Sequence, residues 1–321
     1  MTLSRRQILG YGAAVPLIAA SPLSAMTPPV NVVATTGMIA DAARLVGGDK
    51  VNVTTLMGPG VDPHAYRQTR TDIVALSRAD VVLWHGLYLE AQMEDLLLEM
   101  AETQFVVAVG EEIAESKLIK HEDYEGRFDP HVWMVPDLWA DVVRAVTSAL
   151  ISAAPEHDEV FTSNAASHLV DISRLGTYAK DSLASVPGEA RVLLTAHDAF
   201  GYFGEYFDFD VVGIQGISTE SEAGLDRISE LVDMLVDRDI RAVFVETSVS
   251  DRNIKALIEG AAARDHDVKI AGELFSDAMG EPGTYEGTYI GMIDHNVTTI
   301  AAALGGAVPD RGMDGKLSAG S

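Results

Sequence analysis

Two blocks of alternating strand and helix signals, separated by a long stretch without any strand signal, constrain this chain most. Before residue 110, β-branched runs at 30–35, 51–56, 81–84 and 105–109 alternate with helical patterns at 37–45, 69–78 and 89–99. After residue 190 the alternation resumes, with strands expected at 191–195, 211–213, 242–246 and 268–271. Helices are expected there at 201–207, 221–238, 250–264 and 287–304. Strands alternating with helices fold as parallel sheets covered by helices. Between the blocks, 137–151 and 156–185 read as helix, broken at Pro155 and stopped at Pro187-Gly188. The second piece, at 1.5 Å per residue, would span roughly 45 Å and reads as a connecting strut. The predicted fold class is therefore α/β: two parallel-sheet lobes joined by a single long linking helix.

The domain reading follows. Residues 1–25 form a signal peptide, 26–136 an N-terminal lobe, 137–187 the linking helical segment, 188–310 a C-terminal lobe and 311–321 a loose tail. The signal reading rests on Ser4-Arg5-Arg6-Gln7-Ile8-Leu9, a twin-arginine pattern, followed by an apolar run and Leu23-Ser24-Ala25 as cleavage site. The run is too short for a comfortable membrane span, although an uncleaved anchor is the competing reading.

Composition excludes several chemistries. Acidic residues outnumber basic ones 48 to 23, for a net charge of −25. No basic footprint exists for phosphate, so no nucleic-acid partner is expected. Such acidity first keeps a protein soluble, and it also attracts cations. The chain has no cysteine, which excludes disulfides, thiolate catalysis, Cys-type zinc sites and anchoring through an N-terminal lipidated cysteine.

In open parallel sheets, ligands bind beyond the carboxyl ends of the strands. The tripeptide Asp62-Pro63-His64 lies in such a loop, and it returns as Asp129-Pro130-His131. Proline stiffens the backbone before the imidazole. A carboxylate two residues earlier either accepts the ring N–H not used by a metal or ties down loop amides. Asp-Pro is also a common turn opener, so one copy would mean little; two copies favour a site. His197 and Asp277 fall in comparable loops of the second block. Three imidazoles and a carboxylate, two from each lobe, suit zinc or manganese rather than calcium or magnesium, provided they converge. Asp62, Asp129, Asp198 and Glu246 are candidate braces, with turn formation or helix capping as the competing explanation for each. Trp133 and Phe200 either exclude water from the site or simply pack the core. His85 reads as a structural histidine and His295 as a packing or hydrogen-bonding residue, while His157, His168 and His266 read as solvated and His121 as a loop histidine without a role.

The sequence resembles the metal-binding solute-binding proteins of ABC transporters, the cluster A-I (cluster 9) or TroA-like group, over nearly the whole mature chain. The segments that carry the likeness are Gly60-Val61-Asp62-Pro63-His64-Ala65-Tyr66, residues 80–90 with Gly86 and Leu87, and Asp129-Pro130-His131-Val132-Trp133. With them go Thr195-Ala196-His197-Asp198-Ala199-Phe200-Gly201-Tyr202-Phe203, residues 213–220, residues 273–280 and residues 286–292. The resemblance implies a metal between two lobes, with His64, His131, His197 and Asp277 as its ligands. It implies capture of one divalent ion, Mn2+ or Zn2+, as cargo and delivery to a membrane permease with a cytoplasmic ATPase. Residues 111–128 are short and hold only His121, which tilts the reading toward manganese or mixed manganese/zinc capture. Arg67-Gln68 stands where the family commonly has Glu-Pro. With no lipidation cysteine, the expected location is the periplasm, exported and not lipid-anchored, and the expected state is a monomer.

An enzyme is not expected. The alternatives are a periplasmic zinc-dependent hydrolase and a metal-binding adhesin. Four protein ligands leave little room for a catalytic water, and no His-Glu-x-x-His is present. Metal affinity is expected to fall as pH drops through the histidine range, near 6.5 for an unperturbed group.

Overall fold

A computed structural model describes residues 28–121 and 125–318. The signal-peptide reading lies outside these residues. The first sheet contains β1 (Val30–Ala34), β2 (Val51–Thr55), β3 (Val81–Trp84) and β4 (Val106–Ala108) in the order β2-β1-β3-β4, all parallel. Side chains of a strand alternate between faces, and this sheet uses both. Val32, Ala34, Val81 and Leu83 pack with Met38 and Ile39 of α1 (Gly37–Gly47) and with α4 (Pro136–Ala153) in the main core. Their neighbours Val33, Val82 and Trp84 point the other way, onto Leu76 of α2 (Arg70–Arg78) and Leu97 of α3 (Glu94–Ala101). A sheet buried on both faces explains why these runs are apolar throughout rather than alternating. The expected start of α2 is borne out: the Thr69 side chain and Asp72 form a reciprocal capping box.

The helix expected over 89–99 begins only at Glu94. Ahead of it, Gly86, Leu87 and Tyr88 all adopt left-handed backbone, with φ of 76°, 54° and 69°. Such geometry costs roughly 1–2 kcal/mol at each non-glycine residue. The buried Glu90 carboxylate compensates by accepting the amides of His85 and Gly86.

The second block is built from β5 (Val192–Thr195) beside β6 (Asp210–Gly213) and β7 (Ala242–Glu246) beside β8 (Lys269–Leu274), each pair parallel. β5 and β7 approach one another without forming a ladder. α6 (Gly201–Phe207) and α9 (Tyr289–Ala303) close one side. α7 (Leu225–Asp237) and α8 (Arg252–Ala262) close the other over Leu194 and Val243. β8 runs three residues further than the sequence reading placed it.

Between the blocks, α5 (Asp158–Ala184) is an uninterrupted helix of 27 residues, roughly 40 Å long. It packs against α1 and α4 toward the first block and against α9 and α6 toward the second. Phe161, Ala165, Ile172, Leu175, Ala179 and Leu183 form its buried stripe, and they join the main core along the helix's length. Among the described residues no helix is long and apolar enough to cross a membrane.

Two local readings are corrected. Residues 311–318, read as part of a loose tail, are tied down. Leu317 is 2% exposed, the Met313 amide donates to buried Asp294, and Ser318 N–H donates to Glu286. His168 and His266, read as solvated, are buried, and His266 pairs with the Ile240 carbonyl. A polar sequence neighbourhood does not reveal that a segment folds back on a core.

Candidate metal centre

All four candidate ligands sit past the carboxyl ends of strands, as the topology requires. His64 lies in the loop after β2, and His131 ends the long connection after β4. His197 follows β5 by two residues, and Asp277 follows β8 by three. The structure brings the four together: each offers one donor atom, and these atoms lie within 4.8 Å of one another. His64 Nε2 is 3.3 Å from His131 Nε2. Asp277 places one carboxylate oxygen 3.4 Å from His131 Nε2 and the other 3.2 Å from His197 Nε2. A tetrahedral ion bound at 2.0–2.1 Å holds its ligand atoms about 3.4 Å apart, so the spacing fits an ion at the centre. The four residues are at most 2% exposed.

The braces differ from one histidine to the next. His131 Nδ1 is 2.7 Å from Asp129 Oδ1, which also accepts the His131 amide. His197 Nδ1 is 2.5 Å from Glu246 Oε2, while Glu246 Oε1 accepts the His197 amide. These carboxylates fix the tautomer that leaves Nε2 for a metal. The repeated tripeptide is not used identically, because Asp62 accepts the His64 amide, at 2.9 Å, but not its ring N–H. The Nδ1 of His64 is buried with no hydrogen bond.

Burial and charge then set protonation without metal. Burial drives His64 down to about 3. For His131 burial acts in the same sense, but Asp129 and Asp277 outweigh it and raise the group to about 9. His197 is also raised well above its usual value: Asp277 and Glu246 overcome its burial. Asp277 is held well below the carboxylate range, since the two imidazoles outweigh desolvation.

Behind the ligands, Trp133 faces the His131 ring with centroids 5.2 Å apart. Its indole N–H donates to the Ser276 carbonyl, next to Asp277, and so ties the two blocks together. Phe200 is fully buried in the main core. His85 is structural: its Nε2 is 2.7 Å from the Pro130 carbonyl. His295 pairs likewise with the Glu273 carbonyl.

Sequence reading missed Glu90. It is wholly buried, is pushed up to about 7 by that burial, and receives hydrogen bonds from Thr35 and the amides of His85 and Gly86. Its place at the end of the 80–90 motif was the available signal. Thr219, which donates to Asp62 from the other block, was also missed as an individual residue.

Fold and site together define a class: a two-lobed parallel α/β protein with a buried His3Asp group, between its lobes, that could hold a metal ion. The profile of the ZnuA family, described as zinc-uptake complex component A, periplasmic, matches residues 32–303. The manganese-binding lipoprotein MntA of Bacillus subtilis is 49% identical over 276 residues, 86% of this chain and 90% of that protein. The zinc-binding protein TroA of Treponema pallidum is 44% identical over 273 residues, 85% of this chain and 88% of that one. The solved structure of periplasmic zinc-binding TroA superposes with a TM-score of 0.84, covering 86% of this chain and 99% of that one. The chain belongs to this family of metal-binding, solute-binding components of ABC uptake systems, which are not enzymes.

One expectation is overturned. The sequence reading left the protein exported and not lipid-anchored, whereas MntA of Bacillus subtilis and other manganese-binding relatives are named lipoproteins, which are lipid-anchored. A missing cysteine bears only on attachment through that side chain, and cannot by itself carry a location.

Proposed function

We propose that this protein captures one divalent transition-metal ion, Mn2+ or Zn2+, on His64, His131, His197 and Asp277 and delivers it to the permease of an ABC importer. The observation that carries this reading is the convergence of four buried donor atoms while Asp129 and Glu246 occupy the far nitrogens of two rings. The family supports the importer as partner, with its ATPase on the cytoplasmic side. The protein acts as a monomer outside the cytoplasm, exported through the twin-arginine pattern at residues 4–9. Residues 26–136 and 188–310 serve as the two lobes, and 137–187 as the link. The short 111–128 connection favours manganese or mixed cargo, while the three imidazoles equally suit zinc.

Native mass spectrometry with elemental analysis on the chain from Met26 tests the reading. One equivalent of metal is expected, lost in His64→Ala, His131→Ala, His197→Ala and Asp277→Ala. A ligand variant that retains wild-type affinity removes that residue from the site. A folded wild type that holds no stoichiometric metal removes the reading.

A further inference from the structure

The motif at residues 213–220 has so far no assigned task. After β6 the chain runs without regular structure over residues 214–224, and this strap connects the two halves of the metal centre. At one end it is laced to the segment bearing His197: Ile214 N–H donates to Thr195, Gln215 N–H to Ala196, and Asp198 N–H to Gly216. Gly213 allows this closeness, because a Cβ there would lie 2.6 Å from the Asp198 nitrogen. At the other end the strap crosses to the first lobe. The Thr219 hydroxyl donates to Asp62 Oδ2 at 2.6 Å, while Asp62 Oδ1 accepts the His64 amide at 2.9 Å. A second tie joins Gln92 to Glu220.

We infer that Thr219 is a positioning residue that sets how long the bound ion is retained, by holding Asp62 and through it the backbone of His64. The inference rests on the proposed ligand set. His64 needs this support more than the other two histidines. Its ring nitrogen away from the centre lacks the carboxylate that braces His131 and His197, so its backbone carries the constraint. Thr219 touches no candidate donor atom and acts only through Asp62. The tie is also suited to release: it is a single side-chain hydrogen bond at a half-buried position. Parting it lets the loop that carries Asp62 and His64 shift while the backbone bonds between the strap and the segment after β5 stay in place.

The test is zinc release into excess chromogenic chelator, followed by stopped flow, for wild type, Thr219→Val and Thr219→Ser. Loss of a hydrogen bond to a charged group is expected to raise the off-rate roughly tenfold in Thr219→Val. Association rate, one-to-one stoichiometry and the metal-free melting temperature should stay unchanged, and Thr219→Ser should restore slow release. An off-rate in Thr219→Val equal to wild type overturns the inference. So does a rise that serine fails to reverse, or one accompanied by a lower metal-free melting temperature. A wild type without stoichiometric zinc would instead overturn the ligand set.

Discussion

At the scale of single residues, the centre is a charge-balance problem solved by neighbours. Asp129 and Glu246 orient His131 and His197, and outer carboxylates of this kind typically account for 10–100-fold in metal affinity. Glu246→Ala and Asp129→Ala are each expected to weaken binding within that range while leaving the fold intact, as measured by competition with a chelator of known affinity. The same carboxylates change the expected pH dependence. A histidine range near 6.5 would apply to unperturbed rings, but His131 is raised to about 9 and His197 also rises. A metal must displace those protons, so affinity should keep rising with pH up to about 9. Binding at neutral pH should release about two protons. Calorimetry in buffers of different ionisation enthalpy reads that number, and no release would contradict the scheme.

The linkage has a second consequence, for the metal-free protein. A group whose folded pKa exceeds its unfolded value stabilises the fold below the unfolded pKa, and that contribution disappears as pH rises through the folded one. For His131 the window runs from about 6.5 to about 9. His64, lowered to about 3, is neutral in both states there and does not contribute. The metal-free melting temperature should therefore fall across this window, and the metal-loaded one should not follow it. A flat metal-free profile would show that the carboxylates do not hold His131 charged.

At the scale of elements, loops after strands present the candidate ligands, and rigid neighbours hold the loops. The left-handed turn at 86–88 exists because Glu90 offers its carboxylate to two amides, and His85 at its start supports the Pro130 carbonyl ahead of His131. The C-terminal segment does the same for α9. Leu317 is buried, and Gly312 passes so close to Asp294 that a Cβ would lie 2.5 Å from its carboxylate. Leu317→Ala should cost roughly 2–5 kcal/mol, measured by denaturant unfolding. An unchanged midpoint would return the segment to the status of a loose tail.

At the scale of the molecule, the question is how an ion held by the four buried candidate ligands would leave. α5 packs along both lobes for its whole length, and Trp133 and Tyr289 pair with backbone across the interface. A large hinge motion would have to break that packing, whereas loops such as the strap can move at the cost of a few hydrogen bonds. Metal-free and loaded protein should therefore give nearly superimposable small-angle scattering profiles, with differences confined to loops near His64, His197 and Asp277. A large change in radius of gyration on loading would reverse this view.

Periodicity and composition determined the architecture: β-branched runs between amphipathic helices left a parallel α/β fold as the outcome, and α2, β3 and β7 were readable nearly to the residue. The doubled Asp-Pro-His, with His197 and Asp277 in equivalent loops, marked the donor atoms, because backbone stiffness and residue chemistry are local properties. Tertiary structure decided what is not local. Glu246, 49 residues from His197, became its partner only when β5 and β7 came side by side. Asp62 and Asp129 look alike in sequence and each accepts the amide of its histidine, yet loop geometry adds the ring nitrogen only for Asp129. The buried Glu90, the strap on Thr219 and the folded-back 311–318 segment depend on contacts between residues far apart in the chain. No periodicity encodes such contacts, so only the packed molecule reveals them.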